Sequence, residues 1–190
     1  MTDPPTRPDA APRRRRHGPE GHPSVFAADE QHDHPVDLAR LQRLAELVLV
    51  TEGVRGASEL NLLFVDRRAI AALNRTFLDG DGPTDVLAFP LDEPGAEPGR
   101  TPDGGTPAPD RRPSETEELP LLLGDVVICP DVASVNAPEH AGSYDDEMAL
   151  LVVHGVLHVL GMDHADAQEA EEMRAREQEL LASFAAAESA

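Results

Sequence analysis

The sequence has little to cross-link and little that is aromatic. It contains one cysteine, no tryptophan and only 3% aromatic residues in 190. A lone Cys129 excludes an internal disulfide and any metal site built from several thiolates. With so few rings, a core must come from aliphatic side chains, and the 40% hydrophobic content can supply one. No apolar run approaches the ~20 residues of a transmembrane helix. The Pro- and Arg-rich start lacks the apolar segment of a secretory signal, so the expectation is a cytoplasmic protein that does not enter a membrane. Positive charge is scarce as well. Sixteen basic against 36 acidic residues give a net charge of -20, which opposes nonspecific attraction to polyanions.

The 18 prolines and 14 glycines are clustered. Residues 1–22 are Pro-, Ala- and Arg-rich and read as a disordered tail. Its Arg13-Arg14-Arg15-Arg16 run is either a solvated extension or an electrostatic arm for RNA or ribosome. Residues 93–118 read as a mobile Pro/Gly-rich insertion between two strands. The remainder, 23–185, is expected to form a single domain.

Within it, His22 to Asp29 suggests a short strand. Asp37 precedes Leu38, Leu41, Leu44, Ala45 and Val48 at helical spacing, with Gly53 as the stop. A strand is predicted over Leu60–Val65. Asp66 then caps a helix carrying Ile70, Leu73 and Phe77 on one face. Val86–Phe89 and the apolar Leu121–Cys129 read as strands, the second buried on both faces, and Pro130 opens a short helix or turn. Ser143, followed by Asp145, Asp146 and Glu147, begins a helix that runs through Leu160 and stops at Gly161. Asp166 and Glu169 resemble a capping box for a last helix ending near Phe184. Strands and helices do not alternate strictly, so the expected class is α+β, with a small mixed four-stranded sheet packed against helices.

The chemistry concentrates in His154-Gly155-Val156-Leu157-His158-Val159-Leu160-Gly161-Met162-Asp163-His164. His154 and His158 lie four apart on one helical face, about 5–6 Å apart at Cβ. Gly161 lets the chain reverse, so His164 can supply a third nitrogen to one metal ion. Three protein ligands leave a coordination position open, the pattern of a catalytic zinc site. The spacing H-x-x-x-H-x-x-G-x-x-H is that of the metzincins. Gly155 stands where those proteases carry their general-base glutamate, which argues against a peptidase. Asp163 either orients an imidazole or forms the turn after Gly161. His17, His22, His32 and His34 fall in tail or loop. His140 is either a surface residue or near enough to reach the cleft. Cys129 reads as a small buried hydrophobe.

The sequence resembles the YbeY endoribonucleases over about residues 24–184, through three blocks in order: the histidine block, Leu123-Gly124-Asp125-Val126-Val127-Ile128, and Asp81-Gly82-Pro83-Thr84-Asp85-Val86-Leu87-Ala88-Phe89-Pro90. The resemblance implies a zinc-dependent, single-strand-specific endoribonuclease. It would act in ribosomal-RNA maturation, at the three-prime end of the small-subunit RNA, and in ribosome quality control. Its partners would be ribosomal RNA, the small ribosomal subunit and assembly proteins. One zinc ion would be held by His154, His158 and His164, with Asp125, Thr84 and Asp85 as family-pattern residues near the site. Leu78 stands where many members have an arginine proposed to contact phosphate, and Ala88 where serine is usual. Arg75 is the nearby RNA-binding candidate. Two alternatives remain: a non-nucleolytic ribosome-assembly factor with a structural zinc, and a zinc peptidase.

Overall fold

The computed structural model describes residues 21–91, 120–162 and 166–189. The insertion 93–118, nearly all of the 1–22 tail, Asp163 and His164 lie outside the described residues. In chain order the elements are β1 (Pro23–Asp29), α1 (Leu38–Thr51), β2 (Ser58–Phe64), α2 (Arg67–Leu78), β3 (Val86–Pro90), β4 (Leu121–Ile128), α3 (Pro130–Asn136), α4 (Tyr144–Val159) and α5 (Ala167–Glu188).

The four strands form one mixed sheet in the order β1-β2-β4-β3. β1 and β4 run parallel to β2, and β3 lies antiparallel to β4 at an edge. This is the α+β arrangement the sequence predicts. The larger core packs Leu44, Val48, Leu60, Leu62, Val126, Val152, Val156 and Leu180 together, so α1, α4 and α5 cover one face. A smaller cluster of Val65, Ile70, Leu87, Val127, Cys129 and Val132 lies on the other face, under α2 and the start of α3. Burying apolar surface on both faces of β4 explains its almost unbroken aliphatic run.

The helix starts follow local hydrogen-bond chemistry. The carboxylates of Asp37 and Asp66 accept from the N–H groups of Arg40 and Ala69, 3.0 and 2.7 Å away. Asp166 and Glu169 form a reciprocal capping box. These bonds satisfy N–H groups that the helix itself leaves unpaired. Three details differ from expectation. β2 begins at Ser58, because its first residues pair with both Pro23 and Leu121. α5 continues past Phe184 to Glu188, since Ala185-Ala186-Ala187 favours helix and nothing there stops it. Phe77 is 63% exposed, and its ring meets that of Phe89 edge-on at 5.3 Å instead of entering the core.

Two glycines hold the sheet and α4 in close register. Gly124 follows an irregularity at which Glu59 pairs with Leu122 but Leu60 with Gly124. Its φ is 150°, and a Cβ there would lie 2.3 Å from the Phe89 carbonyl oxygen. A Cβ on Gly155 would lie 2.4 Å from Val126 Cγ1. The missing side chain therefore lets α4 rest directly on β4 and β3.

Candidate metal centre

α4 is buried on most of its circumference, so its few polar residues occupy chosen places. Ser143 caps its start, accepting from Asp146 N–H at 3.1 Å, and three carboxylates sit in the first turn, where the helix dipole favours them. At the far end, Gly161 N–H donates to the His158 carbonyl (2.9 Å) and Met162 N–H to that of Leu157 (3.0 Å). With Gly161 at φ 87°, this is a Schellman termination. The helix therefore ends within a few residues of His158.

His154 and His158, one turn apart, bring their Nε2 atoms to 3.1 Å, with ring centroids 4.6 Å apart. The other nitrogen of His154, Nδ1, lies within hydrogen-bond distance of Glu177 Oε1 of α5, at 2.8 Å. That contact ties one ring nitrogen of His154 to a carboxylate and turns the other, Nε2, toward His158. Glu177 is itself buried, at 6% exposure. A histidine that donates to a carboxylate and presents its second nitrogen to a cation is the usual arrangement around zinc.

The fit of a metal can be tested on this pair. Two nitrogens each ~2.0–2.1 Å from a tetrahedral ion would be about 3.3–3.4 Å apart. The observed 3.1 Å corresponds to an angle of about 98° at such an ion. The described donors therefore fit. Among the described residues no group of three His, Cys, Asp or Glu side chains is placed to hold a metal. Two of the three expected donors are among them, and His164 is not.

The histidine pair opens into a cleft of about 490 Å³ between Leu78 at the end of α2, β3 along Val86–Pro90, and the Gly155 face of α4. A smaller pocket of about 190 Å³ lies on the other side of His154, lined by Asp85, His140, Glu147 and Glu177. His140 does not enter the main cleft. Its Nδ1 lies 3.1 Å from Glu147 Oε1 and its side chain is 52% exposed.

The other sequence candidates separate. Asp85 reaches the smaller pocket beside His154, while its carboxylate accepts from Val86 N–H (2.8 Å), Thr84 Oγ1 (3.1 Å) and Asn136 Nδ2 (3.1 Å). Thr84 thus acts on Asp85. Asp125 accepts from Asn61 Nδ2 at 2.7 Å, and the strand alternation puts it on the Val127 side of β4, away from α4. Arg75 is exposed and lines neither pocket. Leu78 does line the cleft. Cys129 is fully buried on the α2 side, and burial pushes its thiol pKa up.

Glu177 escaped the sequence reading. A signal existed: Met173, Glu177, Leu180 and Phe184 form the buried stripe of α5, and an acid within an apolar stripe needs a partner.

Comparisons with known proteins agree with one another. The endoribonuclease YbeY family profile matches residues 26–185. The endoribonuclease YbeY of Salinispora tropica is 44% identical over 78% of this chain and 88% of its own length. That of Thermobifida fusca is 43% identical over 79% and 87%. The solution structure of TM1509 from Thermotoga maritima superposes with a TM-score of 0.50, covering 85% of this chain and 92% of that one. At 23% identity it speaks for the fold alone.

Proposed function

The chain belongs to the endoribonuclease YbeY family, and from that membership we propose that it is a zinc-dependent, single-strand-specific endoribonuclease of ribosomal-RNA maturation and ribosome quality control. One zinc ion per chain would be held by His154, His158 and His164. The observation that carries this reading is the convergence of the His154 and His158 Nε2 atoms at 3.1 Å on the wall of the cleft, with Glu177 behind His154.

When bound there, zinc supplies Lewis acidity and two positive charges beside a phosphodiester. The protein's own groups do the positioning. Glu177 fixes the His154 ring. Gly155 seats α4 so that both histidines face the groove beside β3. The attacking group is either water or the ribose 2′-hydroxyl, and a 2′,3′-cyclic phosphate among the products would exclude water.

The peptidase reading loses support from Gly155. The general base of the related proteases would occupy this position, where a side chain would run into Val126. The non-nucleolytic assembly factor keeps one specific observation in its favour, since Leu78 puts an apolar side chain on the cleft where many members have an arginine proposed to contact phosphate. Ribosomal partners and a cytoplasmic location belong to the same proposal; among the described residues no helix is long and apolar enough to cross a membrane.

The test is to incubate the full chain and its His158→Ala variant with single-stranded ribosomal RNA, with and without added zinc, and to analyse product ends. Zinc-dependent cleavage that the variant lacks is the expected result. Normal ribosome association with no cleavage by either protein would favour the assembly factor.

A further inference from the structure

We propose that the outer edge of β3 recognises the ribose and bases of single-stranded RNA, so that substrate is held by main-chain hydrogen bonds and apolar contact without a phosphate clamp. This rests on the endoribonuclease reading and specifies how its substrate is recognised.

The register of β3 on β4 determines which main-chain groups face the cleft. Cys129 N–H donates to the Asp85 carbonyl at 2.8 Å, and Leu91 N–H to that of Leu123 at 3.1 Å. With Leu87 opposite Val127 and Phe89 opposite Asp125, the odd-numbered residues turn both main-chain groups toward β4. The even-numbered residues Val86, Ala88 and Pro90 therefore turn theirs outward. Among the described residues no strand pairs with that edge. Leu78 of α2 and Gly155 of α4 line the same cleft from opposite faces of the sheet, so the groove runs along the edge.

The edge is rich in acceptors. Val86 N–H is occupied by the Asp85 carboxylate at 2.8 Å, and Pro90 has no N–H. Among the described residues, what remains without a partner strand is one donor, Ala88 N–H, and three acceptors, the carbonyls of Val86, Ala88 and Pro90. A peptide strand needs an alternating ladder, and Asp85 and Pro90 interrupt it at both ends. Phosphate oxygens only accept, so they find no complement in a row of carbonyls. The ribose 2′-hydroxyl and the exocyclic amines of the bases can donate to it. The side chains agree with this choice. None of the described residues lining the cleft is an arginine, and the sequence contains no lysine. Leu78, Pro90 and Met162 offer apolar surface for sugar and base faces instead.

The experiment measures binding of the zinc-loaded full chain to one short fluorescein-labelled sequence made as RNA, DNA and 2′-O-methyl RNA, over a range of potassium chloride concentrations. RNA is expected to bind about tenfold more tightly than either analogue, because each lacks the 2′-hydroxyl donor. That preference should persist as salt rises. An Ala88→Pro variant removes the one outward N–H and leaves the bonds to β4 intact, a change that edge strands tolerate. It should bind RNA about fivefold to tenfold more weakly, because a base carbonyl or ring nitrogen loses the N–H it accepts from, with an unchanged melting temperature. Equal binding of the three strands, or a steep salt dependence of the kind a phosphate clamp gives, would overturn the proposal. Displacement of RNA by an extended basic peptide would do so too, by making the edge a peptide site. If Ala88→Pro fails to fold, the three-strand comparison decides alone. Sugar-selective binding without cleavage would remove the endoribonuclease reading and keep this one; cleavage by a protein that binds all three strands equally would do the reverse.

Discussion

Among the described residues there are two histidine–glutamate pairs of nearly the same local geometry, and α4 contributes to both. His154 Nδ1 lies 2.8 Å from Glu177 Oε1, and His140 Nδ1 lies 3.1 Å from Glu147 Oε1. Both carboxylates are buried, and both histidines are partly open to solvent, at 28% and 52%. The difference lies at the second ring nitrogen. That of His154 faces the Nε2 of His158 across 3.1 Å, whereas no such nitrogen faces His140 among the described residues. On the proposed reading, a buried carboxylate behind a histidine would not be enough to make a metal centre. The imidazole must also meet a second donor, and a spacing of four on a rigid helix provides that.

The largest expected effect lies at the far nitrogens. His158→Ala should abolish bound zinc and RNA cleavage, while His140→Ala should leave the zinc content of the purified protein unchanged. Equal zinc loss in both variants would erase the distinction. A graded effect is expected at the carboxylates. Glu177→Gln should weaken zinc binding about 10–100-fold, the usual cost of losing the group that orients a ligating imidazole. Glu147→Gln should leave it unaltered in the same competition titration against a chelating dye.

Smaller still is the effect of disturbing the seat of α4. Gly155→Ala should destabilise the protein by about 1–3 kcal/mol in denaturant unfolding, because the added methyl meets Val126 and the sheet must give way. The smallest change concerns Cys129, a metal-capable side chain that belongs to neither pair. Burial raises its thiol pKa, so the protonated form persists above the pH at which an exposed thiol ionises. Alkylation by iodoacetamide should be slow in the folded protein and fast in denaturant, with no change in zinc content.

Much of this was legible in the chain because it is local. Asp37, Asp66, Ser143 and Asp166 announce helix starts through side-chain oxygens that can reach N–H groups two or three residues on. Gly161 announces a stop, and a spacing of four predicts that His154 and His158 meet. What required the structure is nonlocal. No local pattern orders the strands β1-β2-β4-β3 or makes β3 the edge. Nothing near His154 in sequence points to Glu177, 23 residues away, since α5 carries several glutamates and only its buried stripe marks that one. Asp125 reads equally well as a site residue or a strand residue until the sheet assigns its face. Phe77 shares a helix face with Ile70, yet the core ends before reaching it.

Cleavage by this chain, as proposed, requires that His154 and His158 hold a cation together with His164. The direct measurement is elemental analysis of the full chain purified without chelator, followed by zinc titration of the chelator-treated protein. A single zinc ion per chain, bound tightly and lost in His158→Ala, is the predicted result. A protein that arrives without metal and takes up added zinc only weakly, as the His158→Ala variant does, would contradict it.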